Sequence, residues 1–266
     1  MIELLALDVD GTLIDESLTI AQRVRRAVIQ TLEQGVTVTL ATGRMLEATA
    51  PFADELGIEA PLICYQGGLI QAPYADRPLH RSTMDPDIVR DALGWGIEQG
   101  WHAVLYADSA LFIAEKRHPE SFYRDLLGAN LHWVDRLADV IDHHEPLKFL
   151  FIADPPEADD IEVAMRQRFE GRLEVVRSHQ NFVEGNPLGV SKGDALHRLA
   201  DYLNVPQAQV MAVGDQGNDV SMLAWAGVGV AMGNGSPAAK AVADWIAPSF
   251  SEDGAAVAIE RFILNA

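Results

Sequence analysis

Short apolar runs alternate with amphipathic stretches from the N-terminus to Gly68. The runs are predicted to be buried strands, and they cover residues 4–7, 36–41 and 61–65. Between them, residues at helical spacing predict one helix that ends before Gly35 and a second from Met45 to Leu56, and Thr19 with Gln22 resembles a capping box for the first. This βαβαβ pattern is typical of a parallel sheet with right-handed crossovers.

The regular alternation of predicted strands and helices changes between residues 69 and 184. A hairpin is predicted from Ala103–Ala107 and Ala110–Glu115, with its turn at Asp108 and Ser109. Further strands are predicted at 148–152 and 173–177, and amphipathic helices at 86–99 and 157–169. This mixture indicates a small α+β domain with an antiparallel sheet.

A linker is predicted around Asn186–Gly189, after which strands and helices alternate again. Strands are predicted at 210–213, 228–232 and 245–247, and a closing helix at 255–264. The sequence therefore predicts an α/β core domain with a doubly wound parallel sheet, residues 1–82 and 188–266, interrupted by an inserted α+β cap domain, residues 83–187. Two glycine-bearing linkers, near Gly67 and near Gly189, would let the cap rock as a lid.

Two carboxylates, Asp8 and Asp10, follow the first strand. Residues two apart leave a strand on the same side, so this pair is expected at the carboxyl end of the sheet, where open α/β sheets place their ligands. Two anions so close need a cation or a proton between them. The alternative is a polar turn after a strand.

Lys192 lies at the start of a predicted helix that Ser191 and Asp194 would cap. The helix dipole disfavours a cation there by some tenths of a kcal/mol, so local stability does not explain the lysine, and it is a candidate functional residue. Thr42 is either a helix cap or a ligand of phosphate oxygens at a helix N-terminus, Arg44 is either a phosphate ligand or a solvated side chain, and Asn218 is a candidate helix cap.

Composition narrows the function classes. The chain has 266 residues, is 48% hydrophobic and carries a formal charge of −19, which disfavours nucleic acid and anionic membranes as partners. Its single cysteine, Cys64, forms no internal disulfide and is expected to be a buried packing residue in a reducing, cytoplasmic setting. No basic leader and no apolar segment of about 20 residues is present, so neither export nor membrane insertion is predicted. The histidine spacing does not indicate a zinc site.

Four motifs occur in order: Asp-x-Asp-Gly-Thr at Asp8, Ala-Thr-Gly-Arg at Thr42, Lys-Gly at Lys192 and Gly-Asp-x-x-Asn-Asp at Asp215. They resemble the motifs of the haloacid dehalogenase-like phosphohydrolase superfamily, and the position of the insertion resembles its Cof-type subgroup. The resemblance implies Asp8 as nucleophile, Asp10 as acid and base, and a metal held by Asp8, Asp215 and the backbone carbonyl of Asp10. It also implies phosphate contacts from Thr42, Gly43, Arg44 and Lys192, with Lys192 shielding Asp8, a contact from Asn218 to the phosphate or its water, and support from Asp219.

The chemistry agrees with these roles. A carboxylate can attack phosphorus and split hydrolysis into two easier steps, provided that a hard cation such as Mg²⁺ offsets the repulsion from the phosphate dianion. We therefore predict a Mg²⁺-dependent phosphatase for small phosphorylated metabolites such as sugar phosphates, with no obligate protein partner. The alternatives are a phosphotransferase or phosphomutase and a receiver-like signalling module. Many Cof-type relatives carry Asn-Gly where this chain has Gln66-Gly67, and the difference bears on substrate choice.

Overall fold

The computed structural model describes residues 1–15, 17–126 and 130–265. The strands of these residues are β1 (Leu4–Leu7), β2 (Thr37–Leu40), β3 (Leu62–Cys64), β4 (Leu69–Gln71), β5 (His80–Arg81), β6 (His102–Ala107), β7 (Ala110–Ile113), β8 (Leu131–Trp133), β9 (Pro146–Ile152), β10 (Leu173–His179), β11 (Phe182–Pro187), β12 (Val210–Gly214), β13 (Val228–Ala231) and β14 (Trp245–Ile246). The α-helices are α1 (Gln22–Glu33), α2 (Leu46–Leu56), α3 (Pro86–Glu98), α4 (Glu120–Leu126), α5 (Leu137–Ile141), α6 (Pro155–Arg168), α7 (Lys192–Leu203), α8 (Val220–Trp225), α9 (Pro237–Val242) and α10 (Gly254–Ile259).

The chain divides into two compact units. Unit 1 comprises Met1–Gly43, Thr49–His80 and Ser191–Ala266, and unit 2 comprises Arg44–Ala48 and Arg81–Val190. Each unit has a buried apolar cluster of its own.

Unit 1 is built on a parallel sheet with strand order β14-β13-β12-β1-β2. All five residues of the central strand β12 are buried, and so are the four of its neighbour β1. Leu4, Ala6, Val210 and Ala212 belong to one apolar cluster with residues of α7 and α8. A parallel sheet needs such continuous apolar strands because both of its faces are covered. The predicted parallel α/β sheet is therefore confirmed.

The third predicted strand is placed differently. β3 pairs antiparallel with β4 in a separate sheet of order β3-β4-β5, and an isolated parallel bridge joins Ile63 to Ala41. An apolar run alone does not reveal which partner a strand chooses, and β4 is equally buried at its first two residues. A 3₁₀ turn, Tyr65–Gly67, connects the two strands. Cys64 is fully buried, as predicted.

Unit 2 contains a six-stranded sheet of order β10-β11-β9-β6-β7-β8. Its pairs are antiparallel except β7 with β8, which is parallel, so the sheet is mixed rather than purely antiparallel. The predicted hairpin is present, and Asp108 in its turn has φ +51°. One face of the sheet packs in a single apolar cluster that includes residues of α3, α5 and α6.

Two local predictions are wrong. Thr19 does not cap α1: the N-cap position is Ala21, without a side-chain hydrogen bond, and the Thr19 hydroxyl lies 2.6 Å from that of Ser17. The chain around Asn186 is not a linker, because β11 continues to Pro187 in register with β10 and Asn186 is fully buried. By contrast, Ser191 caps α7 as predicted, with its hydroxyl 3.1 Å from the amide nitrogen of Asp194. Among the described helices, none is both long and apolar enough to cross a membrane.

Candidate active site

Two neighbouring strand ends bring Asp8 and Asp215 together. β1 and β12 are paired with Leu7 opposite Val213, so the residue after each strand emerges at the same edge. The amide of Asp8 donates to the carbonyl of Val213 at 2.9 Å, which fixes this register up to the carboxylate. Carboxylate oxygens of Asp8, Asp215 and Asp219 all lie within 4.8 Å of one another, and all three side chains are buried. The site thus concentrates negative charge away from water.

Lys192 is the cation of this cluster. Its ammonium nitrogen lies 2.6 Å from Oδ1 of Asp8 and 2.6 Å from Oδ1 of Asp219, and its side chain is fully buried. Lys192 is the first residue of α7, directly after the Ser191 cap. The electrostatic cost of a cation at a helix start is therefore offset by two ionic hydrogen bonds that lie far away in sequence.

Asp219 acts as an anchor within the cluster. Its Oδ1 accepts from Lys192, and its Oδ2 accepts from the amides of Asp215 and Gln216 at 2.8 and 2.9 Å. Both carboxylate oxygens are thus occupied by donors of the protein itself. This geometry fixes the loop after β12 and the direction of the lysine at the same time.

Three buried carboxylates surround one lysine, and this excess of negative charge shifts the pKa values of the cluster. Burial, together with repulsion from Asp219, raises the pKa of Asp8 well above its ordinary range and raises the pKa of Asp215 to about 7. Burial alone would lower the pKa of Lys192, but attraction to Asp219 and Asp8 is stronger and raises it. Two like charges 4 Å apart repel by roughly 4 kcal/mol at an effective dielectric constant of about 20, so the site favours a second cation.

Asp8 and Asp215 fit a hard divalent cation. Oδ1 of Asp215 is buried and has no hydrogen-bond partner, while its Oδ2 accepts from the side chain of Gln216 at 2.9 Å. Carboxylate oxygens are the donors that Mg²⁺ prefers. Gly11 leaves room beside this carboxylate: a Cβ atom there would lie 2.4 Å from Oδ2 of Asp215, and its φ of +83° suits glycine. Asp219 fits a metal less well because both its oxygens are already used.

The other predicted site residues are distributed as follows. Asp10 lies two residues after Asp8 with an exposed side chain and is outside the group of three carboxylates that the described residues form. Thr42 is buried in unit 1, and its backbone bonds to Ile63 and Gln66 place it at the end of β3. Because α2 begins only at Leu46, Thr42 is not its cap. Gly43 ends a segment of unit 1, whereas Arg44 belongs to unit 2.

Asn218 is not a helix cap either. It lies inside a 3₁₀ turn, Gly217–Asp219, and its Nδ2 donates to Oε1 of Gln66 at 3.1 Å. Its Oδ1 is buried and has no hydrogen-bond partner. Gln66 is almost fully buried, and it and Tyr65 both have positive φ angles, of +59° and +52°. Such a conformation costs a non-glycine residue about 1 to 2 kcal/mol.

Sequence reasoning missed two residues that support the site. Gln216 donates to Asp215, and Asn234 donates from Nδ2 to the carbonyl of Gly11 at 2.9 Å while its Oδ1 accepts from the amide of Phe250 at 2.7 Å. Asn234 thereby ties the loop after β13 to the loop after β1. The position of Asn234 between two glycines at a strand end was the available signal.

Comparison with known proteins identifies the family. The sequence model of one protein family, the haloacid dehalogenase-like hydrolases, matches residues 5–259. The chain belongs to this family. Its Cof-type assignment and its class as an enzyme, an HAD-type phosphomonoester hydrolase, are confirmed by this match together with the phosphatases among its relatives.

Relatives and solved structures are similar over almost the whole chain. The 5-amino-6-(5-phospho-D-ribitylamino)uracil phosphatase YcsE of Bacillus subtilis is 31% identical over 265 residues, covering 99% of this chain and 96% of the relative. The HMP-PP phosphatase of Serratia proteamaculans is 30% identical over 246 residues, covering 91% of this chain and 88% of the relative. A haloacid dehalogenase-like hydrolase from Bacteroides thetaiotaomicron has a TM-score of 0.85 at 28% identity, covering 99% of this chain and 100% of that one. The predicted fold class, an α/β core with an inserted α+β cap, is confirmed by these neighbours.

Proposed function

We propose that this protein is a Mg²⁺-dependent phosphatase that hydrolyses small phosphorylated metabolites through an aspartyl phosphate. The observation that carries the proposal is the buried ion pair of Asp8 with Lys192 beside Asp215, whose Oδ1 has no partner. A carboxylate held against a buried lysine is oriented for attack, and Oδ1 of Asp215 supplies a ligand position for a cation. An ion pair with a purely structural role would not need the additional carboxylate of Asp215 beside it.

In the first step, an oxygen of Asp8 attacks phosphorus and the bond from phosphorus to the leaving alkoxide breaks. Lys192, already bonded to Asp8, stabilises the negative charge on the transferring phosphoryl group without reorienting. Asp10 donates the proton that the alkoxide takes up. In the second step, water attacks the aspartyl phosphate, Asp10 accepts a proton from that water, and Asp8 departs as a carboxylate.

Asp8, Asp215 and the backbone carbonyl of Asp10 are proposed to hold the Mg²⁺. When bound, the ion supplies positive charge that offsets the repulsion between the carboxylates and a phosphate dianion. Thr42, Gly43, Lys192 and Asn218 are proposed as phosphate contacts, with Arg44 as a further one. Asp219 is proposed to support Lys192 and the Asp215 loop, in agreement with its three hydrogen bonds.

We also propose that residues 83–187 form an inserted cap domain on a core of residues 1–82 and 188–266. The division of the chain into two compact units, with Arg81–Val190 in the second, supports an insertion close to these positions, while Arg44–Ala48 also groups with the second unit. The substrate class is proposed to be sugar phosphates or related compounds, and the protein is proposed to act in the cytoplasm. The two named relatives support a panel that includes a phosphoribitylated uracil and HMP-PP.

The test is phosphate release from p-nitrophenyl phosphate by the purified protein, with Mg²⁺ or with EDTA, followed by a metabolite panel ranked by kcat/KM. We expect Mg²⁺-dependent turnover and a preference for one chemical group of the panel. A phosphotransferase would instead deliver the phosphoryl group to a second hydroxyl, which the product of a single turnover reveals. A receiver-like module would form a stable aspartyl phosphate and show no turnover.

A further inference from the structure

We propose that Gln66 is a positioning residue that turns the amide of Asn218 into a hydrogen-bond acceptor for the water of the second chemical step. The inference rests on the proposed phosphatase function and deepens it. All the residues concerned belong to unit 1.

The backbone places Gln66 beside the Thr42 loop. Its amide donates to the carbonyl of Thr42 at 3.0 Å, so the side chain starts next to the predicted phosphate loop. The side chain then passes directly over Gly43, because a Cβ atom at Gly43 would lie only 2.4 Å from Nε2 of Gln66. At its far end, Oε1 accepts from Nδ2 of Asn218 at 3.1 Å. One side chain therefore spans two loops of the candidate site.

This contact determines what Asn218 can offer. An amide side chain has one donor group and one acceptor oxygen, and the donor group of Asn218 faces Gln66. The remaining Oδ1 is buried and has no partner. The second hydrogen of Nδ2 can still donate to a phosphate oxygen, whereas the acceptor Oδ1 repels phosphate oxygens and binds a hydroxyl hydrogen. The hydrogen-bond partner that Oδ1 of Asn218 lacks is therefore a hydroxyl donor, and in a hydrolase that donor is water.

The position of Asn218 fits this task. It immediately precedes Asp219, whose carboxylate holds Lys192, and Lys192 contacts Asp8. When water attacks the aspartyl phosphate, an oxygen–phosphorus bond forms, the bond between phosphorus and Asp8 breaks, and the electron pair returns to the carboxylate. One water proton passes to Asp10 and the other stays on the new phosphate hydroxyl. Oδ1 of Asn218 accepts a hydrogen bond from the hydrogen that stays.

The backbone of Gln66 supports a functional explanation. Tyr65 and Gln66 are consecutive non-glycine residues with positive φ, and both are almost fully buried. Strain of this kind persists where the surroundings enforce it, and it concentrates at functional sites. The next residue, Gly67, packs against the carbonyl of Ser191, because a Cβ atom there would lie 2.3 Å from that oxygen. The same turn thus also adjoins the start of the Lys192 helix.

The test is a rapid-quench measurement of both chemical steps with p-nitrophenyl phosphate and Mg²⁺. The variants are Gln66→Gly, which adopts a positive φ without strain, Gln66→Glu, Asn218→Ala and the double variant Gln66→Gly with Asn218→Ala. We expect Gln66→Gly to slow loss of the aspartyl phosphate about 10-fold, the effect of one hydrogen bond, while its formation changes less than about 2-fold. The double variant should be no slower than Asn218→Ala, because Gln66 acts through Asn218.

The Gln66→Glu variant distinguishes the positioning of Asn218 by residue 66 from a general effect on the protein structure. It keeps the acceptor that faces Asn218, so we expect kcat to be retained while KM rises through repulsion of the phosphate. Loss of kcat in Gln66→Glu, additive effects in the double variant, or slowing of only the first step would each overturn the inference, although the wild-type enzyme would still be a phosphatase. Thermal unfolding of each variant is measured alongside. If the Asp8→Asn variant of the otherwise native chain kept full activity, the proposed function itself would fail.

Discussion

Nζ of Lys192 lies 2.6 Å from Oδ1 of Asp8, with both side chains shielded from solvent. A second hydrogen bond of 2.6 Å holds the same ammonium group on Asp219. The lysine is therefore positioned before any substrate arrives, and its charge is directed at the proposed nucleophile.

Replacing Asp8 by Asn removes the proposed nucleophile while keeping its size. We expect phosphate release to fall by at least about 1000-fold, since a neutral amide neither attacks phosphorus nor bears the negative charge that Lys192 faces. Intact-protein mass after acid quench should show a phosphorylated species for the wild type and none for the variant. The matched control is Asp201→Asn, an exposed carboxylate on the same helix as Lys192, which should keep full activity.

Lys192→Met tests the ion pair itself. Breaking a buried pair on one side leaves the carboxylates uncompensated, so we expect the free energy of unfolding at pH 7 to fall by about 3 to 5 kcal/mol. Urea unfolding measures it, and the loss should shrink when Asp219 is also changed to Asn, because one of the stranded charges is then removed. Equal loss in both backgrounds would show that the lysine contributes packing rather than charge.

The raised pKa of Asp215 predicts a pH effect in metal-free protein. Its pKa of about 7 lies above the ordinary value of 3.8, so the folded state binds this proton more tightly. The associated stability is present below pH 3.8 and is lost as the pH rises through about 7. In EDTA, wild type should therefore lose about 1 to 3 kcal/mol relative to Asp215→Asn between pH 5 and pH 8.

Magnesium should reverse this loss. Ligand binding to the folded state alone adds about 2.7 kcal/mol when the free ion is at 100 times its dissociation constant. Titration of Mg²⁺ at pH 8 should raise the unfolding temperature of wild type but not that of Asp215→Asn. If the ion stabilised both proteins equally, Asp215 would not be a ligand.

Asn186 offers a test in unit 2. Its side chain is fully buried in β11, and neither its nitrogen nor its oxygen has a hydrogen-bond partner. Replacing it by Leu, which has the same shape without the polar atoms, should raise the free energy of unfolding by about 1 to 2 kcal/mol. The matched control is Asn181→Leu, which removes a hydrogen bond of 2.9 Å to the carbonyl of Ala153 and should destabilise the protein. Destabilisation by Asn186→Leu would contradict the prediction.

The sequence predicted the features that depend on local pattern. Strand ends, the Ser191 cap and the placement of Lys192 in a first helical turn all follow from residues close together in the chain, and the structure contains them. The pairing of β3 with β4 was missed because strand partners are chosen by long-range packing. The roles of Gln66 and Asn234 were hidden for the same reason: each contacts residues more than 150 positions away.

The order of the parallel sheet has a consequence for biosynthesis. β1 is made long before its neighbour β12, and Lys192 reaches Asp8 across 184 residues of sequence. Such distant contacts carry a loop-closure cost and form late, whereas the contacts within Arg81–Val190 join residues that lie closer together in the chain. During synthesis the edge of the apolar strand β1 that later pairs with β12 therefore stays unpaired, and chaperones and proteases can reach it. The proposed active site is complete only after the segment that carries Lys192 and Asp215 has emerged.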